Sequence, residues 1–371
     1  MRVLVAMDSF KGTLSAKDAC RCVKRGLLKA RPDLEVVTRP MADGGEGTLD
    51  VLLETSGGNR IAMDAHGPIF GRKVRAAFGW IPKTKLALVE MAQASGLLLV
   101  SGAERDPMKT TTFGTGELLR AALELHPDKI LLAVGGSATV DGGVGAAMAL
   151  GWRFLDPAGR PVGYGGGELR KIASIVPPRE RFPVKCSVLC DVDNPLCGAH
   201  GAARVYGPQK GASPDAVVEL ERGLQHLAQL VNEKLGLDIA AIPGGGAAGG
   251  LAGGAAAFMN AELVPGSQAV IEAIGLEDEI RKADYVITGE GRFDGQSARG
   301  KVVAGMASVA QKHGVPVIVL AGDVVPYAAE KGEMFFERAI SARLPGMPLD
   351  EALARAAELL ECAAAQAAAG F

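Results

Sequence analysis

Short apolar runs alternate with amphipathic stretches at both ends of the chain. Val3–Ala6 is an apolar run of strand length, and Ser15 is placed to cap the helix that follows it. The apolar face of that helix consists of Ala19, Val23 and Leu27. The same pattern predicts further strands over Leu34–Thr38, Tyr285–Thr288, Pro316–Leu320 and Phe335–Ser341, and further helices over Leu49–Glu54, Val302–Lys312 and Leu349–Ala369. Five strands with crossover helices predict a doubly wound, flavodoxin-like parallel sheet.

The middle of the chain has a different pattern. Lys73–Trp80 and Lys85–Met91 flank a short turn and predict an antiparallel hairpin. Single strands are predicted over Lys129–Val134 and Val184–Asp191, and a long helix between the caps Ser213 and Gly236. We therefore expect an α/β protein of two domains. The flavodoxin-like domain takes residues 1–60 and 265–371, and an α/β domain of mixed sheet, residues 61–264, is inserted into it.

Composition places the chain among globular proteins and removes several other classes. Of its 371 residues, 48% are apolar and 22% charged, which is enough apolar material for a sizeable core. The net charge of −2 gives no electrostatic reason to expect nucleic acid or an anionic membrane as partner. The uncharged stretch from Ile239 to Ala261 has too few large apolar residues to favour a membrane span.

The six cysteines lack the spacing of a metal or redox motif. No two of them form a CxxC pair, and no histidine stands at zinc spacing from Cys186, Cys190 and Cys197. So few cysteines in so long a chain argue against disulfides. We expect reduced, buried thiols and a cytoplasmic protein.

Three glycine-rich loops carry acidic residues, and each follows a predicted strand. They are Pro40–Thr48, Gly135–Gly143 and Thr288–Gly295. Glycine lets a ligand approach the backbone N–H groups, and a carboxylate in the same turn can coordinate Mg²⁺ or accept a proton. Asp is also a common turn former, but the loops taken together predict a site for a phosphorylated, metal-bound ligand.

Two segments partly match nucleotide-binding motifs. Gly295–Lys301 fits the GxxxxGK part of a P-loop, but Val302 stands where Ser or Thr is needed for Mg²⁺, so a P-loop fold is rejected. Two interpretations of this segment stay open. It is either an anion-binding site at the start of the helix, with Arg299 and Lys301, or a simple turn. Gly244–Gly249 fits GxGxxG but lacks the acidic ribose partner, which leaves nucleotide contact or helix packing.

A hydroxyl-rich stretch, Thr110–Gly116, precedes another predicted helix. Thr115 is a candidate N-cap, and the hydroxyls and amides could equally hold a small acid or a phosphate. Phosphoryl transfer also needs cations, and Lys11, Arg292 and Lys210 are available in the loops. The five histidines are scattered and give no support to Ser-His-Asp chemistry.

In their order along the chain, these segments resemble the type 1 glycerate kinase family. The matching segments are Asp8–Thr13, Pro40–Thr48, Glu90–Leu97, Thr110–Gly116, Gly135–Gly143, Asp191–Leu196, Tyr206–Gly211, Pro243–Gly250 and Thr288–Lys301. The resemblance runs from residue 3 to about residue 322, and the residues after it carry no motif. It implies transfer of the γ-phosphoryl group of ATP to D-glycerate with Mg²⁺, usually giving 2-phosphoglycerate.

Roles for single residues follow from the resemblance together with the loops. We expect a site in a cleft between the two domains, with Asp191 as first choice for the base that accepts the hydroxyl proton and Asp43 as second. Lys11 and Arg292 would neutralise negative charge. Glu290, Asp294 and Asp141 are candidates for binding Mg²⁺ or for ordering the loops. Further candidates for contacts with substrate or nucleotide are Asp8, Ser9, Gly44, Gly45, Glu46, Gly135, Gly136, Ser137, Asn194, Gly289, Gly291 and Lys301.

Rival functions come from other classes. One is an NAD-dependent oxidoreductase for small hydroxy acids, which the missing ribose-binding acid disfavours. Another is a non-catalytic binding protein for small acids. The number of acid-bearing loops argues against it, because such a protein would not need so many. Within the kinase class, phosphorylation of the 3-hydroxyl is the alternative regiochemistry. A monomer and a homodimer both stay open.

Overall fold

The computed structural model describes residues 1–45, 47–293, 302–325 and 336–371 of the chain. The strands are β1 (Arg2–Met7), β2 (Glu35–Thr38), β3 (Asn59–His66), β4 (Lys73–Ile81), β5 (Leu86–Glu90), β6 (Lys129–Ala133), β7 (Arg153–Leu155), β8 (Ser174–Val176), β9 (Lys185–Leu189), β10 (Glu262–Val264), β11 (Tyr285–Gly289), β12 (Arg292–Phe293), β13 (Val317–Ala321), β14 (Asp323–Val324) and β15 (Arg338–Ser341).

The α-helices lie between these strands and after the last of them. They are α1 (Ala16–Ala30), α2 (Thr48–Ser56), α3 (Ala92–Ser95), α4 (Phe113–Leu123), α5 (Val144–Ala149), α6 (Ala202–Tyr206), α7 (Pro214–Leu235), α8 (Leu251–Met259), α9 (Gly266–Ala273), α10 (Leu276–Arg281), α11 (Val302–Lys312), α12 (Leu349–Ala354) and α13 (Ala356–Ala368). The caps at Ser15 and Ser213 are confirmed, because each hydroxyl accepts a hydrogen bond from the amide three residues on.

One predicted helix is wrong in its extent. The single helix expected over Leu349–Ala369 is two helices, because Arg355 leaves helical geometry at φ −107° and ψ 16°. The break lets the two helices contact different surfaces. Helix α13 buries Leu360 and neighbouring alanines against α1, whereas Leu353 of α12 stays half-exposed.

The chain forms two compact units. The first unit comprises Met1–Asp43, Asp50–Ser56 and Pro265–Phe371, and the second unit comprises Gly44–Leu49 and Gly57–Val264.

The first unit is built on a fully parallel sheet. Its strand order is β15-β13-β11-β1-β2, with Val5 of β1 opposite Ile287 of β11. Apolar side chains of β1, β11 and β13 pack with α1 and α13 into one buried cluster. Because the strands are parallel, β1, β11 and β13 all end at the same edge, where Asp8, Glu290 and Gly322 follow them.

The second unit contains a mixed sheet in the order β10-β9-β6-β5-β4-β3. Strands β3, β4 and β5 pair antiparallel, and β5, β6, β9 and β10 pair parallel. The predicted hairpin is therefore present. Strand β3, for which no prediction was made, extends it at the sheet edge.

Two sequence features have plain structural outcomes. The stretch from Ile239 to Ala261 contains only one short α-helix, and nowhere in the described ranges is a helix long and apolar enough to cross a membrane. All six cysteines are free thiols. The expected burial is confirmed for Cys20, Cys22 and Cys186 but is wrong for Cys362, which is exposed, and Cys190 and Cys197 are half-buried.

Candidate active site

Three carboxylates of the first unit gather at the carboxyl edge of its sheet. Met7 and Gly289 are opposite each other in β1 and β11. The next residues, Asp8 and Glu290, therefore lie side by side just beyond the ends of these neighbouring strands. The Asp8 amide donates to the Gly289 carbonyl over 2.9 Å and fixes this arrangement. Both carboxylates are buried, at 6% and 8% exposed. Asp43 is the third member, and its charge acts on Asp8.

The Asp8 carboxyl group has a strongly perturbed pKa. Burial is the largest cause, and the nearby charges of Asp43 and Glu290 add to it, so that the pKa of Asp8 rises to about 7. The Ser9 amide donates to Asp8 Oδ1 over 2.6 Å and acts in the opposite direction. Several acidic groups in one place create a demand for positive charge, which a cation or a proton can meet.

One basic side chain lies close to these carboxylates, and two arginines lie in other segments of the first unit. Lys11 Nζ lies 3.7 Å from Asp43 Oδ2, and the lysine side chain is 80% exposed. Arg343 Nη1 lies 3.6 Å from Asp323 Oδ2. Arg292, in β12, is exposed. Lys11, Arg292 and Arg343 all line one cavity of the first unit, where they could contact an anionic ligand.

A cavity of about 540 Å³ within the first unit collects these groups. Its polar lining contains Asp8, Ser9, Lys11, Thr13, Asp43, Glu290, Gly291, Arg292, Asp323 and Arg343. Its apolar lining comes mainly from the last two helices, through Leu349, Ala352, Leu353, Ala356 and Leu359. A few convergent charges facing an apolar wall are typical of a small-molecule site.

The apolar wall formed by the last two helices was not predicted from the sequence. Leu349 and Leu353 are 55% and 46% exposed, although they are large apolar residues. They are four residues apart in α12 and therefore share one helix face. That spacing was visible in the sequence, but nothing there indicated that the face lines a cavity.

In the second unit, Asp141 is enclosed by hydrogen-bond donors. Its carboxylate accepts from the Thr111 and Thr112 hydroxyls and from the amides of Thr112, Gly143 and Gly145, over 2.7 to 3.3 Å. Burial raises the pKa of Asp141, and these bonds act against the rise. Of the two predicted roles, ordering the loop fits this geometry better than binding Mg²⁺, because the oxygens are already occupied.

The hydroxyl-rich stretch before α4 does not have the structure that was expected. The helix begins at Phe113, so Thr115 lies inside it and donates to the Ser95 hydroxyl over 2.8 Å instead of capping the helix. Thr110 donates to the Ala138 carbonyl, and Thr111 and Thr112 donate to Asp141. These hydroxyls are buried and used internally, which leaves them unavailable to a small acid or a phosphate.

The turn Gly135–Ser137 follows β6 and meets a buried lysine. Lys210 Nζ donates to Ser137 Oγ over 2.7 Å and to the Thr139 carbonyl over 2.8 Å. Burial lowers the pKa of Lys210 to about 7, against the effect of the nearby Asp141 charge. Lys210 was one of several available cations in the sequence, and only the fold shows that it is buried.

Two more candidates follow β9, the neighbour of β6. Asp191 is half-buried just beyond the strand end. The Asn194 side chain donates to the His200 carbonyl over 2.9 Å and accepts from the Tyr206 hydroxyl over 2.7 Å. The Asn194 side chain therefore stabilises its own loop. Asp191 remains the candidate for the catalytic base.

The GxGxxG segment is a packing element in this fold. Gly249, at φ +67°, lies so close to the Thr139 carbonyl that a Cβ there would be 1.9 Å from the oxygen. The Gly142 amide in turn donates to the Gly249 carbonyl over 3.0 Å. Of the two interpretations left open, packing therefore explains Gly249, and its partner is the backbone of the loop after β6.

The first glycine loop is divided between the two units. Asp43 belongs to the first unit, whereas Gly44 and Gly45 open a turn of the second, in which the Thr48 hydroxyl donates to the Gly45 carbonyl over 2.8 Å. Of the remaining candidates, Gly291 accepts from the Asp323 amide over 3.1 Å. Glu46, Asp294, Arg299 and Lys301 lie outside the described residues.

Carboxylates and glycine turns at the carboxyl ends of parallel strands define the class of α/β enzymes that bind small ligands at that edge. The chain matches the model of the glycerate kinase family over residues 3–371. It therefore belongs to the glycerate kinase family, and it is a kinase.

Individual relatives agree with this assignment. The chain is 45% identical over 370 residues to a glycerate kinase of Halalkalibacterium halodurans, covering 98% of this chain and 96% of the relative. It is 44% identical over 328 residues to the glycerate 2-kinase of Escherichia coli, covering 87% and 86%. A crystal structure from Salmonella typhimurium LT2, provisionally described as glycerate kinase 2, superposes with a TM-score of 0.88 at 39% identity and covers 100% and 98%.

Proposed function

We propose that the protein transfers the γ-phosphoryl group of ATP to the 2-hydroxyl of D-glycerate, giving 2-phospho-D-glycerate and ADP. The resemblance to the glycerate 2-kinase of Escherichia coli supports the acceptor and the position. The observation that carries the proposal is the cavity of about 540 Å³ in the first unit, with buried carboxylates, basic side chains and an apolar wall.

We place the nucleotide in that cavity. Its volume is within the range of sites for drug-sized ligands, roughly 300 to 1,000 Å³, and far exceeds the need of a three-carbon acid. Leu349 and Leu353 offer an apolar surface to the base. Lys11, Arg292 and Arg343 offer positive charge to the phosphates.

The acidic residues of the cavity fit a Mg²⁺ ion shared with the phosphates. Asp8, Asp43 and Glu290 line the same space, and the raised pKa of Asp8 reflects their mutual repulsion as well as burial. No three His, Cys, Asp or Glu side chains among the described residues form a ready metal site. Mg²⁺ needs fewer, since it usually takes one or two protein carboxylates together with phosphate oxygens and water. When bound, the ion would neutralise charge on the transferred group.

We propose Asp191 as the group that accepts the proton of the substrate hydroxyl, with Asp43 as the alternative. A carboxylate next to the attacking hydroxyl performs this role in phosphoryl transfer to alcohols. Asp191 is half-buried just beyond the end of β9, and Asp43 lies close to Lys11. Lys11 would then neutralise charge on the transferred phosphoryl group.

We also propose a flavodoxin-like domain over residues 1–60 and 265–371, which contains the first unit, with residues 61–264 inserted as a second α/β domain. Counted along that unit, its parallel strands follow the order 2-1-3-4-5, which supports the assignment. A reaction site between the two domains, a cytoplasmic location and a monomeric or homodimeric state stay predictions.

The proposed function is tested by supplying ATP, Mg²⁺ and D-glycerate and coupling the product to enolase without a phosphoglycerate mutase. A signal without the mutase is the expected result, because enolase consumes 2-phosphoglycerate. A signal only after the mutase is added would mean that the 3-hydroxyl is phosphorylated. No signal in either case would refute glycerate kinase activity.

A further inference from the structure

Lys210 is a buried lysine whose role nothing in the first unit's cavity explains. Its side chain is 2% exposed, and its two hydrogen bonds go to Ser137 Oγ and to the Thr139 carbonyl. An ammonium group is costly to bury, and an ordinary structural contact does not require one. The lysine therefore places a positive charge directly behind the Gly135–Ser137 turn.

The Gly135–Ser137 turn presents hydrogen-bond donors that the described part of the protein does not use. Gly136 is at φ +71°, a left-handed conformation that turns successive amides toward one side. Within the described ranges, the amides of Gly135, Gly136 and Ser137 donate to no acceptor. All three residues are at least partly exposed.

The remainder of the turn is held rigidly. The Gly136 carbonyl accepts from the Leu97 amide over 2.8 Å, and the Ala138 amide donates to the Ser95 carbonyl over 2.9 Å. Ser137 Oγ accepts from Lys210, so its own hydrogen stays available for another acceptor. The turn thus offers three amides and one hydroxyl as fixed donors in front of a cation.

We propose that the Gly135–Ser137 turn binds an anionic oxygen group of a substrate, with Lys210 as the positioning residue that orients Ser137 and supplies the charge behind it. The proposal rests on the proposed kinase function, whose substrates carry two such groups, the carboxylate of the acceptor and the phosphates of the donor. The lowered pKa of Lys210 agrees with it, because a bound anion would restore the charged form that burial disfavours.

Steady-state kinetics of four variants test the proposal. Lys210→Met removes the charge, Ser137→Ala removes the hydroxyl, and Ser137→Thr keeps it. Lys234→Met is the matched control, because Lys234 is an exposed lysine near the end of α7. We expect Lys210→Met to raise one KM about 10- to 100-fold, the range for a hydrogen bond that involves a charge. Ser137→Ala should raise the same KM about 3- to 10-fold, the range for a neutral bond.

The pattern of KM values separates the two sources of the anion. A rise in the KM for D-glycerate alone assigns the turn to the acceptor carboxylate, and a rise in the KM for ATP alone assigns it to a phosphate of the donor. Ser137→Thr and Lys234→Met should stay within about twofold of the parent protein, and kcat should change less than KM. A role in folding alone would lower the amount of active protein and leave both KM values unchanged.

Calorimetric titration with inorganic phosphate separates this proposal from the kinase proposal, since it needs no turnover. We expect weak binding to the parent protein and to Lys234→Met, and weaker or no binding to Lys210→Met and Ser137→Ala. If Lys210→Met fails to fold, the pair Ser137→Ala and Ser137→Thr decides. Unchanged KM values together with unchanged phosphate binding in the folded variants would overturn the proposal, even if the protein proves to be a glycerate kinase.

Discussion

Thr112 and Asp141, 29 residues apart in sequence, are joined by hydrogen bonds from both the amide and the hydroxyl of Thr112. The Thr112 amide donates to Asp141 Oδ2 over 2.7 Å, and its hydroxyl donates to the same oxygen over 2.9 Å. The Thr112 hydroxyl also accepts from the Ala146 amide over 2.9 Å. The start of α4, the loop after β6 and the start of α5 are therefore tied together at one buried carboxylate.

Replacement of Asp141 by Ala is expected to destabilise the protein strongly. The change leaves several buried donors without an acceptor, and each costs about 1 to 3 kcal/mol, so we expect the free energy of unfolding to fall by at least about 3 kcal/mol. Urea denaturation measures it. The control is Asp128→Ala, which should change it by less than about 0.5 kcal/mol because that side chain is 72% exposed. An Asp141→Ala protein as stable as the control but unable to use Mg²⁺ would instead indicate a metal ligand.

The same residues mark how far the sequence alone could predict the structure. Apolar runs and caps predicted the five strands of the first unit's parallel sheet and the helices after Ser15 and Ser213, because those signals are local. The two-residue strands β12 and β14 were not predicted. The role of Thr115 was predicted wrongly, because its partner, Ser95, is 20 residues away. Contacts between residues that are far apart in sequence cannot be predicted from the residue spacing within one segment.

The candidate site was predictable to the same extent. Glycine turns with acids pointed to Asp43 and Glu290, the family resemblance added Asp8, and the fold brings the three into one cavity. Leu349 and Leu353 were not foreseen, because an apolar wall has the same pattern as any helix face that packs in a core. The burial of Lys210 likewise depends on residues far from it in sequence, such as Ser137 and Thr139, which accept its hydrogen bonds.

Lys210 should give the protein a distinctive dependence of stability on pH. Its pKa is lowered to about 7 in the folded state, whereas an unfolded lysine stays protonated to about pH 10.4. Between these values the unfolded state binds more protons, so stability contributed by this group rises with pH. Relative to Lys210→Met, the parent protein should gain about 2 to 3 kcal/mol between pH 7 and pH 9.

Urea denaturation of both proteins across that range measures the difference. Lys234→Met, which replaces an exposed lysine, is the control and should show no such change. A constant difference between the parent protein and Lys210→Met from pH 6 to pH 9 would mean that the buried lysine does not titrate there.

The apolar wall of the cavity should affect nucleotide binding and little else. Leu349 and Leu353 are half-exposed, so replacing both by Ala costs little folding energy. If they cover the base of ATP, the KM for ATP should rise about 5- to 30-fold, which corresponds to about 1 to 2 kcal/mol of lost apolar contact. The kcat and the KM for D-glycerate should stay within about twofold.

Leu344 supplies the matched control for that experiment. It is 53% exposed in the same unit but does not line the cavity. Leu344→Ala should leave the KM for ATP unchanged. If Leu344→Ala changed the KM for ATP as much as the double replacement of Leu349 and Leu353, the nucleotide would not bind in this cavity.

Asp191 should control the chemical step. Asp191→Asn removes the proposed proton acceptor while keeping size, so kcat should fall by about 100-fold or more, the range for losing a general base. Asp193→Asn, two residues on and exposed, is the control and should keep kcat within about threefold. A folded Asp191→Asn protein with kcat within about threefold of the parent would transfer the role to Asp43, for which the same substitution is the next test.

The most direct test of the central claim is a proton-coupled ³¹P NMR spectrum of the product formed from ATP, Mg²⁺ and D-glycerate. A phosphate ester at carbon 2 couples to one carbon-bound proton and gives a doublet, whereas an ester at carbon 3 couples to two protons and gives a triplet. We predict the appearance of ADP together with a new doublet. A triplet would contradict the proposed position, and ATP left unconsumed would contradict the proposed activity itself.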